Sequence, residues 1–355
     1  MTENEQPHTV VACKDKATFD QLFDWITGHS QLSFRVKVIY PADYPTTALV
    51  VGHGLALKLV IEKSNTNLSF ELFGIEDAVL TSPFDIITFT LNSKPYHPIF
   101  TPPPTKSEYV FTKASDEATA GRAGMMYRDL IPSRLGGAVI ASHITIPNGG
   151  PVPDYTHYHD IRFQLIYCYK GSVELVYEDQ GEPFIMQAGD CVLQPPLIRH
   201  QVLNVGNEGL QVIEVGGPAC HATFGDLEMN LPNGFNPSRT FGTQRFTHHQ
   251  DARAPWCDAG GVVVKDSGLY EASKVVGLRK LKINSKLFCN HNGEMLFLYV
   301  LDGFIEIQSK EFDQKLHVDD CCAIPRNTDF VLEGSAYLLE VTLPGNLDWF
   351  NKQLQ

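Results

Sequence analysis

The chain has 355 residues and a mass of 39.5 kDa, which exceeds one ordinary hydrophobic core and predicts two or three domains. With 43% hydrophobic and 19% charged residues it can bury a substantial core, which excludes wholesale disorder. A formal net charge of −13 disfavours nucleic acid and anionic membrane surfaces as partners, because both are negatively charged themselves.

Membrane insertion is not predicted. No apolar run in the sequence approaches the roughly 20 residues that a spanning helix needs. The N-terminus, MTENEQPHTVVACKDK, is polar and has no apolar core of a signal peptide. We therefore expect a cytoplasmic location.

The eight cysteines have no C-x-x-C pair and no regular spacing, which argues against a disulfide framework. Because several lie inside apolar runs, we expect reduced thiols that pack as small apolar side chains. They are Cys13, Cys168, Cys191, Cys220, Cys257, Cys289, Cys321 and Cys322.

The first hundred residues predict an α+β region. The segment ATFDQLFDWI at 17–26 has four large apolar residues at helical spacing and is followed by Gly28, which predicts one amphipathic helix. From residue 32 to about residue 91, short β-branched and aromatic runs alternate with Asp, Asn, Gly and Pro and predict strands. We assign residues 1–105 to this region, whose role the sequence does not indicate.

A proline-rich segment, YHPIFTPPPTK at 96–106, predicts a stiff connector, because proline disrupts helix interiors and central strands. Beyond it, many short strands separated by Gly and Pro turns predict a mainly β sandwich or barrel.

Two blocks of this β region look like copies of each other. Residues 166–195 align with residues 298–325, matching Gly171 with Gly303. The triplet Gly189-Asp190-Cys191 aligns with Asp319-Asp320-Cys321 in the same way. We therefore predict an internal duplication with two antiparallel barrel domains, at 106–245 and 246–355.

One constellation in the first copy indicates metal chemistry. His157 and His159 lie two residues apart, so the period of a β-strand directs both imidazoles to one face, as metal ligands require. Further polar, glycine and proline residues follow at ordered spacing: Gln164, Gly171, Gly189, Pro195, His200 and Asn204.

This ordered set resembles the two motifs of the cupin superfamily, G-x-x-x-x-x-H-x-H-x-x-x-x-E-x-x-x-x-x-x-G and G-x-x-x-x-x-P-x-G-x-x-H-x-x-x-N. The resemblance covers residues 150–216 well and residues 282–342 weakly, so the chain is similar to a bicupin. It implies two jelly-roll barrels and one metal ion inside the first, with His157, His159 and His200 as the imidazole ligands.

The sequence departs from the motifs at three positions. Gly150 lies one residue too early, Leu197 replaces a glycine, and Gln164 stands where the family usually has Glu. The glutamine replaces an anionic ligand by a neutral amide, which leaves more positive charge on the metal or a coordination position for substrate.

The second copy predicts a barrel without metal. Its residues at the four ligand positions are Cys289, His291, Leu296 and Phe330, so one imidazole remains. We expect it to complete a core and pack on the first barrel. A homodimer formed through the barrels is an open alternative.

Tyr158, Arg162 and Gln164 are candidate catalytic residues near the predicted site. An arginine beside a metal pocket can clamp a substrate carboxylate through two hydrogen bonds. The alternative for Arg162 is an outward-pointing, solvated side chain, because neighbours of inward-facing strand residues point outward.

Three imidazoles suit Fe(II), Mn(II), Ni(II), Cu(II) or Zn(II), and the resemblance favours Fe(II). The predicted function is a mononuclear Fe(II) dioxygenase for a small chelating aromatic or enolic substrate, similar in architecture and ligand count to gentisate-type enzymes. One alternative is a redox-neutral isomerase or lyase that uses the ion as a Lewis acid. The other is a non-catalytic module that binds or senses a small molecule.

Overall fold

The computed structural model describes residues 8–41, 44–93, 102–120, 125–226 and 228–350. The chain divides into two compact units, Met1–Phe100 and Thr101–Gln355. The predicted connector at 96–106 lies partly outside the described residues, and its residues 102–106 have no regular secondary structure. None of the described helices is long and apolar enough to cross a bilayer.

The first unit has the predicted α+β fold. Its elements are β1 (Thr9–Cys13), α1 (Lys16–Gly28), β2 (Arg35–Tyr40), β3 (Thr47–Gly52), β4 (Leu55–Ile61), β5 (Leu68–Phe73), β6 (Ala78–Thr81) and β7 (Ile87–Asn92). Within the described part, β1 to β4 form one sheet in the order β1-β4-β3-β2, and β5 to β7 form another in the order β5-β7-β6.

Helix α1 forms where the sequence predicted it. The Asp15 side chain accepts a hydrogen bond from the Thr18 backbone N–H and caps the first turn. Phe19, Leu22 and Ile26 are buried in the core of this unit, as their spacing predicted.

The second unit is almost entirely β. Its strands up to residue 217 are β8 (Val110–Thr112), β9 (Thr119–Ala120), β10 (Met126–Asp129), β11 (Ile140–Ile146), β12 (Gly150–Pro151), β13 (His157–Asp160), β14 (Phe163–Tyr177), β15 (Phe184–Gln187), β16 (Cys191–Leu193) and β17 (His200–Gly217).

After residue 217 the described residues of this unit form twelve further strands and one short α-helix. They are β18 (Ala222–Gly225), β19 (Thr240–Phe241), β20 (Gln244–Arg245), β21 (Thr247–His249), β22 (Cys257–Asp258), β23 (Val263–Asp266), α2 (Leu269–Ser273), β24 (Gly277–Ile283), β25 (Leu287–His291), β26 (Met295–Gln308), β27 (Asp313–His317), β28 (Cys321–Ile324) and β29 (Thr328–Leu343).

Two large sheets form two barrels in this unit. In the described residues the first sheet has eleven strands, with a main order β21-β16-β14-β17-β11-β10-β9 and with β12, β13, β15 and β18 paired to its members. The second has nine strands, with a main order β22-β23-β24-β29-β26-β28-β8 and with β25 and β27 paired to it. The long strands β14, β17, β26 and β29 each pair with at least three other strands, so each connects different parts of its sheet around a core.

Three apolar cores hold these barrels. One cluster fills the first barrel and includes Val173 and Val212, while another fills the second and includes Leu298 and Leu338. The third contains residues of both sheets and of α2, so the two barrels share a hydrophobic interface. Alternate residues of each strand serve different cores, because successive side chains point to opposite faces.

The internal duplication appears in the backbone itself. Gly171 and Gly303 both have a φ of 78°, in the left-handed region that favours glycine. A Cβ at either position would lie 2.0 Å from a carbonyl oxygen, that of Gly209 in the first copy and of Ser335 in the second. The two predicted copies therefore use the same tight crossing of two long strands.

Strand pairing crosses the predicted boundaries within this unit. Strand β8 pairs with β28 of the second barrel although it precedes the first, and β21 pairs with β16 of the first barrel although it follows residue 245. The division of the chain into three domains, at 1–105, 106–245 and 246–355, therefore stays a prediction.

Six of the eight cysteines are buried, and all eight are free thiols. Burial raises the pKa of Cys168 and of Cys289 to about 12 in each case. Such thiols are poor nucleophiles, which agrees with the predicted packing role.

Candidate metal site

Three histidines come together inside the first barrel. His157 and His159 lie two residues apart on β13, so both side chains leave the same face of the strand. His200 begins β17 and pairs with His157 across the antiparallel ladder. One ring nitrogen from each histidine lies within 4.8 Å of the other two. The structure thus brings together the three side chains that the sequence predicted as ligands.

Each of the three rings is held by an oxygen atom through its Nδ1. The pairs are His157 Nδ1 with Tyr155 O at 2.7 Å, His159 Nδ1 with Thr223 Oγ1 at 2.8 Å and His200 Nδ1 with Ile198 O at 3.2 Å. A carbonyl oxygen can only accept, so Nδ1 of His157 and of His200 donates in these contacts, and Nε2 is the ring nitrogen left to bind a metal. Metal-binding histidines are commonly oriented in this way. The donor set of three neutral imidazoles therefore fits a divalent transition metal.

Replacing Thr223 by valine should weaken metal binding about 10- to 100-fold, the usual cost of losing a group that orients a ligand. The substitution keeps the shape of the side chain but removes the oxygen that contacts Nδ1 of His159. The affinity can be measured by competition with a chelator of known strength.

Thr240→Val is the matched control, because Thr240 is exposed on β19, away from the histidine contacts. It should leave the affinity unchanged. Equal affinities in the Thr223 variant and the wild type would show that this hydroxyl does not orient the ligand.

The three imidazoles line a cavity of about 180 Å³. Most of its other walls are apolar side chains, among them Ile144, Ile166, Leu175 and Val212. No lysine or arginine is found among the described residues that line it. A dry cavity of about 150 Å³ is known to accept benzene, so this one fits a molecule of about one substituted ring.

A chain of hydrogen bonds runs along one wall of this cavity. The Tyr177 hydroxyl donates to Gln194 Oε1 at 2.9 Å, and Gln194 Nε2 donates to Gln164 Oε1 at 2.9 Å. Gln164 Nε2 in turn donates to Glu214 Oε1 at 3.1 Å. Burial raises the pKa of Tyr177, which keeps its hydroxyl protonated as a donor. Gln164 therefore lies in the cavity, with both ends of its amide in defined hydrogen bonds.

Comparison with known proteins identifies this architecture. Residues 142–216, from β11 to the end of β17, match the family model of the cupin domain. Oxalate decarboxylase from Bacillus subtilis has a similar structure, with 14% identity, a TM-score of 0.50 and coverage of 68% of this chain and 78% of that one. The chain is therefore similar to cupins over these residues of the first barrel.

Two further solved structures resemble this chain. The protein Ylba from E. coli has 10% identity and a TM-score of 0.53, with 70% of this chain and 96% of that chain covered. The coconut allergen cocosin has 13% identity and a TM-score of 0.50, with 69% and 87% covered. At these identities the likeness shows the fold alone, and no curated protein matches the sequence significantly.

Two of the predicted catalytic residues lie outside the cavity of the first cupin barrel. Tyr158 packs against Phe224, with the Arg199 guanidinium 4.2 Å from the centre of its ring. Arg162 forms a two-point ion pair with Glu294 of the second barrel, at 2.7 and 3.0 Å. Neither residue is among those that line the cavity, since Tyr158 alternates with His157 and His159 on β13 and Arg162 lies between β13 and β14. Their contacts offer no support for a catalytic role.

The second barrel is filled by aromatic side chains at the corresponding place. Cys289 pairs with Phe330 across the ladder, as His157 pairs with His200 in the first barrel. The Phe330 ring stacks on the buried Trp349, with centroids 5.7 Å apart. Burial, with the nearby Arg326, lowers the pKa of His291 to about 4 and keeps its imidazole neutral.

Three polar residues of the candidate metal site and its cavity were not predicted from the sequence, namely Gln194, Glu214 and Thr223. Glu214 had one visible signal, a single acidic residue inside the apolar strand segment LQVIEV. Thr223 had none, because it reaches His159 from β18, which pairs with β13 only in three dimensions.

Proposed function

We propose that the first cupin barrel holds one divalent transition metal on His157, His159 and His200 and is an Fe(II) dioxygenase for a small, oxygen-chelating aromatic or enolic substrate. The observation that supports this most directly is the convergence of three Nδ1-anchored imidazoles on one largely apolar cavity. When bound, the ion would supply positive charge, a binding position for chelating oxygens and, as iron, a path by which electrons of the substrate reach dioxygen.

The protein residues would position and select the substrate. The cavity accepts about one ring, and its apolar walls, such as Ile166 and Val212, favour an aromatic or enolic body over a highly charged one. Since no lysine or arginine is among the described lining residues, negative charge on the substrate would be met at the histidine site. The amide of Gln164 keeps this part of the wall polar and neutral.

A redox-neutral isomerase or lyase is the second candidate, and Glu214 is the observation that favours it. This carboxylate lies in the same cavity as the three imidazoles. A positioned carboxylate can take up or deliver a proton, which a Lewis-acid reaction on a carbonyl or enolate requires.

Oxygen dependence distinguishes the two candidates. Protein loaded with Fe(II) or with Zn(II) should be assayed with a panel of small phenols, enols and hydroxy acids, in air and under argon. We expect equal loss of substrate and oxygen with iron in air, and no turnover under argon or with zinc, which cannot change oxidation state.

Turnover under argon, or with zinc as well as iron, would contradict the dioxygenase and favour the isomerase or lyase. Saturable binding of an acid or phenol without turnover under any condition would favour a sensor. A homodimer through the barrels and a cytoplasmic location stay predictions of the sequence.

A further inference from the structure

Glu214 is the one acidic side chain among the described residues that line the cavity. On β17 it pairs with Ile166 of β14 on one side and with Ser142 of β11 on the other. Its carboxylate is outside the group whose ligand atoms all lie within 4.8 Å of one another, which consists of the three histidines. Glu214 is therefore part of the cavity wall and not of the predicted ligand set.

Two amides orient this carboxylate. Gln194 donates to Gln164, and Gln164 donates to Glu214, so each hydrogen bond is directed toward the carboxylate. In the second barrel the same pair of ladder positions holds Leu296 and Ile324. The polar chain thus occurs only in the copy that carries the three histidines.

The second barrel shows the same carboxylate in a neutralised form. Glu340 occupies the ladder position of Glu214, and Arg279 occupies that of Ser142. Arg279 binds both oxygens of Glu340, at 2.5 and 2.7 Å, and Trp349 Nε1 also donates to this carboxylate. Glu340 is 1% exposed, so its charge is compensated by the Arg279 guanidinium within the barrel.

In the first barrel Ser142 occupies the ladder position that Arg279 occupies in the second. Glu214 lines the cavity, where Gln164 Nε2 donates to its carboxylate. A carboxylate on an apolar cavity wall favours ligands that bring a hydrogen-bond donor and disfavours those that do not, because a desolvated charge is costly.

We propose that Glu214 is a specificity-determining residue, which accepts a hydrogen bond from a hydroxyl or ammonium group of the ligand while the ligand's chelating oxygens bind at the histidine site. The ligand class that fits is a ring-sized molecule with two adjacent oxygens and a further hydrogen-bond donor on its body. This inference rests on the proposed metal site, and it holds for a dioxygenase, a lyase or a sensor.

The test compares matched probes by anaerobic calorimetry on the zinc-loaded full-length protein. Pyrogallol and hydroxyhydroquinone each carry a third hydroxyl, and the matching methoxycatechols carry a methyl ether that cannot donate. Of the two trihydroxy probes, we take the one that binds the wild type more tightly. We expect the wild type to bind this probe at least about tenfold more tightly than its methoxycatechol counterpart, as a hydrogen bond to a charged group provides.

Glu214→Gln should reduce this preference to about twofold or less, since a neutral amide makes a much weaker hydrogen bond. Glu214→Asp keeps the charge and should retain part of the preference. Glu208→Gln is the matched control, because Glu208 is exposed on the same strand, and it should behave as the wild type. All four proteins should bind the same amount of zinc.

Each other outcome has a definite meaning. Absence of a preference in the wild type, or an equal preference in Glu214→Gln, would overturn the role of Glu214 and leave the metal site intact. Loss of zinc in Glu214→Gln would overturn it too, by making the residue part of metal binding. A wild type that binds no zinc, or binds zinc but none of the probes, would overturn the proposed function itself.

Discussion

Alanine at His200 is expected to lower the metal content of the purified protein from one ion per chain to less than about a tenth of an ion. The ring of His200 lies 4.2 Å from that of His157 and 5.3 Å from that of His159, centre to centre, so its loss removes one of three donors. Two imidazoles bind a transition metal far more weakly than three, and a lost orienting group alone costs about 10- to 100-fold. Elemental analysis of protein purified without added metal measures the result.

His221→Ala is the matched control for this prediction. The His221 ring lies 5.4 Å from that of His159, and its Nδ1 donates to the Pro218 carbonyl at 2.9 Å. It is outside the group of three histidines, so its loss should leave the metal content at the wild-type level. A protein with alanine at His157, His159 and His200 together that still holds one ion per chain would place the site elsewhere.

The histidine arrangement could be predicted because two local rules determine most of it. The period of a strand places His157 and His159 on one face, and the cupin motif spacing places His200 across from them. The structure adds the register, in which His157 pairs directly with His200. The duplication was visible for a similar reason, since Gly171 and Gly303 occupy matching positions within long strands where the backbone has a positive φ.

The polar wall of the cavity could not be predicted in this way. The orientation of Gln164 depends on Gln194, 30 residues later, and on Glu214, 50 residues later. Whether each points inward follows from strand pairing and not from local sequence, because one step of register reverses the face of every side chain. Arg162 lies between β13 and β14, and its ion pair with Glu294, 132 residues away, follows from the packing of the two barrels and not from local sequence.

The exchange of short strands between barrels was also beyond sequence patterns. Strand β8 has three residues and pairs with Cys321–Ala323, more than two hundred positions later in the chain. A segment of this length has no periodicity that identifies a partner. The position of β8 is determined by the sheet of the second barrel, in which it is the last strand beside β28.

Alanine at Phe330 should lower the free energy of unfolding of the barrel unit by about 3 to 5 kcal/mol, the usual cost of removing a buried aromatic ring. Phe330 is 3% exposed and stacks on Trp349, which is itself 1% exposed. Because β25 and β29 fix the backbone around Phe330, the neighbouring side chains can fill the cavity only in part. Urea-induced unfolding of the two proteins measures the difference.

Phe288→Ala separates burial from aromatic character, because Phe288 lies on β25 beside Cys289 but is 42% exposed. Its replacement should cost less than about 1 kcal/mol, as expected for a side chain already partly in water. Metal content should stay unchanged in both variants, since the metal ligands are predicted in the other barrel and Phe330 has no donor atom. A folded Phe330→Ala protein that loses its metal would show that the second barrel contributes to the site. Equal free energies of unfolding of the two variants would show that the stack of Phe330 with Trp349 does not stabilise this barrel.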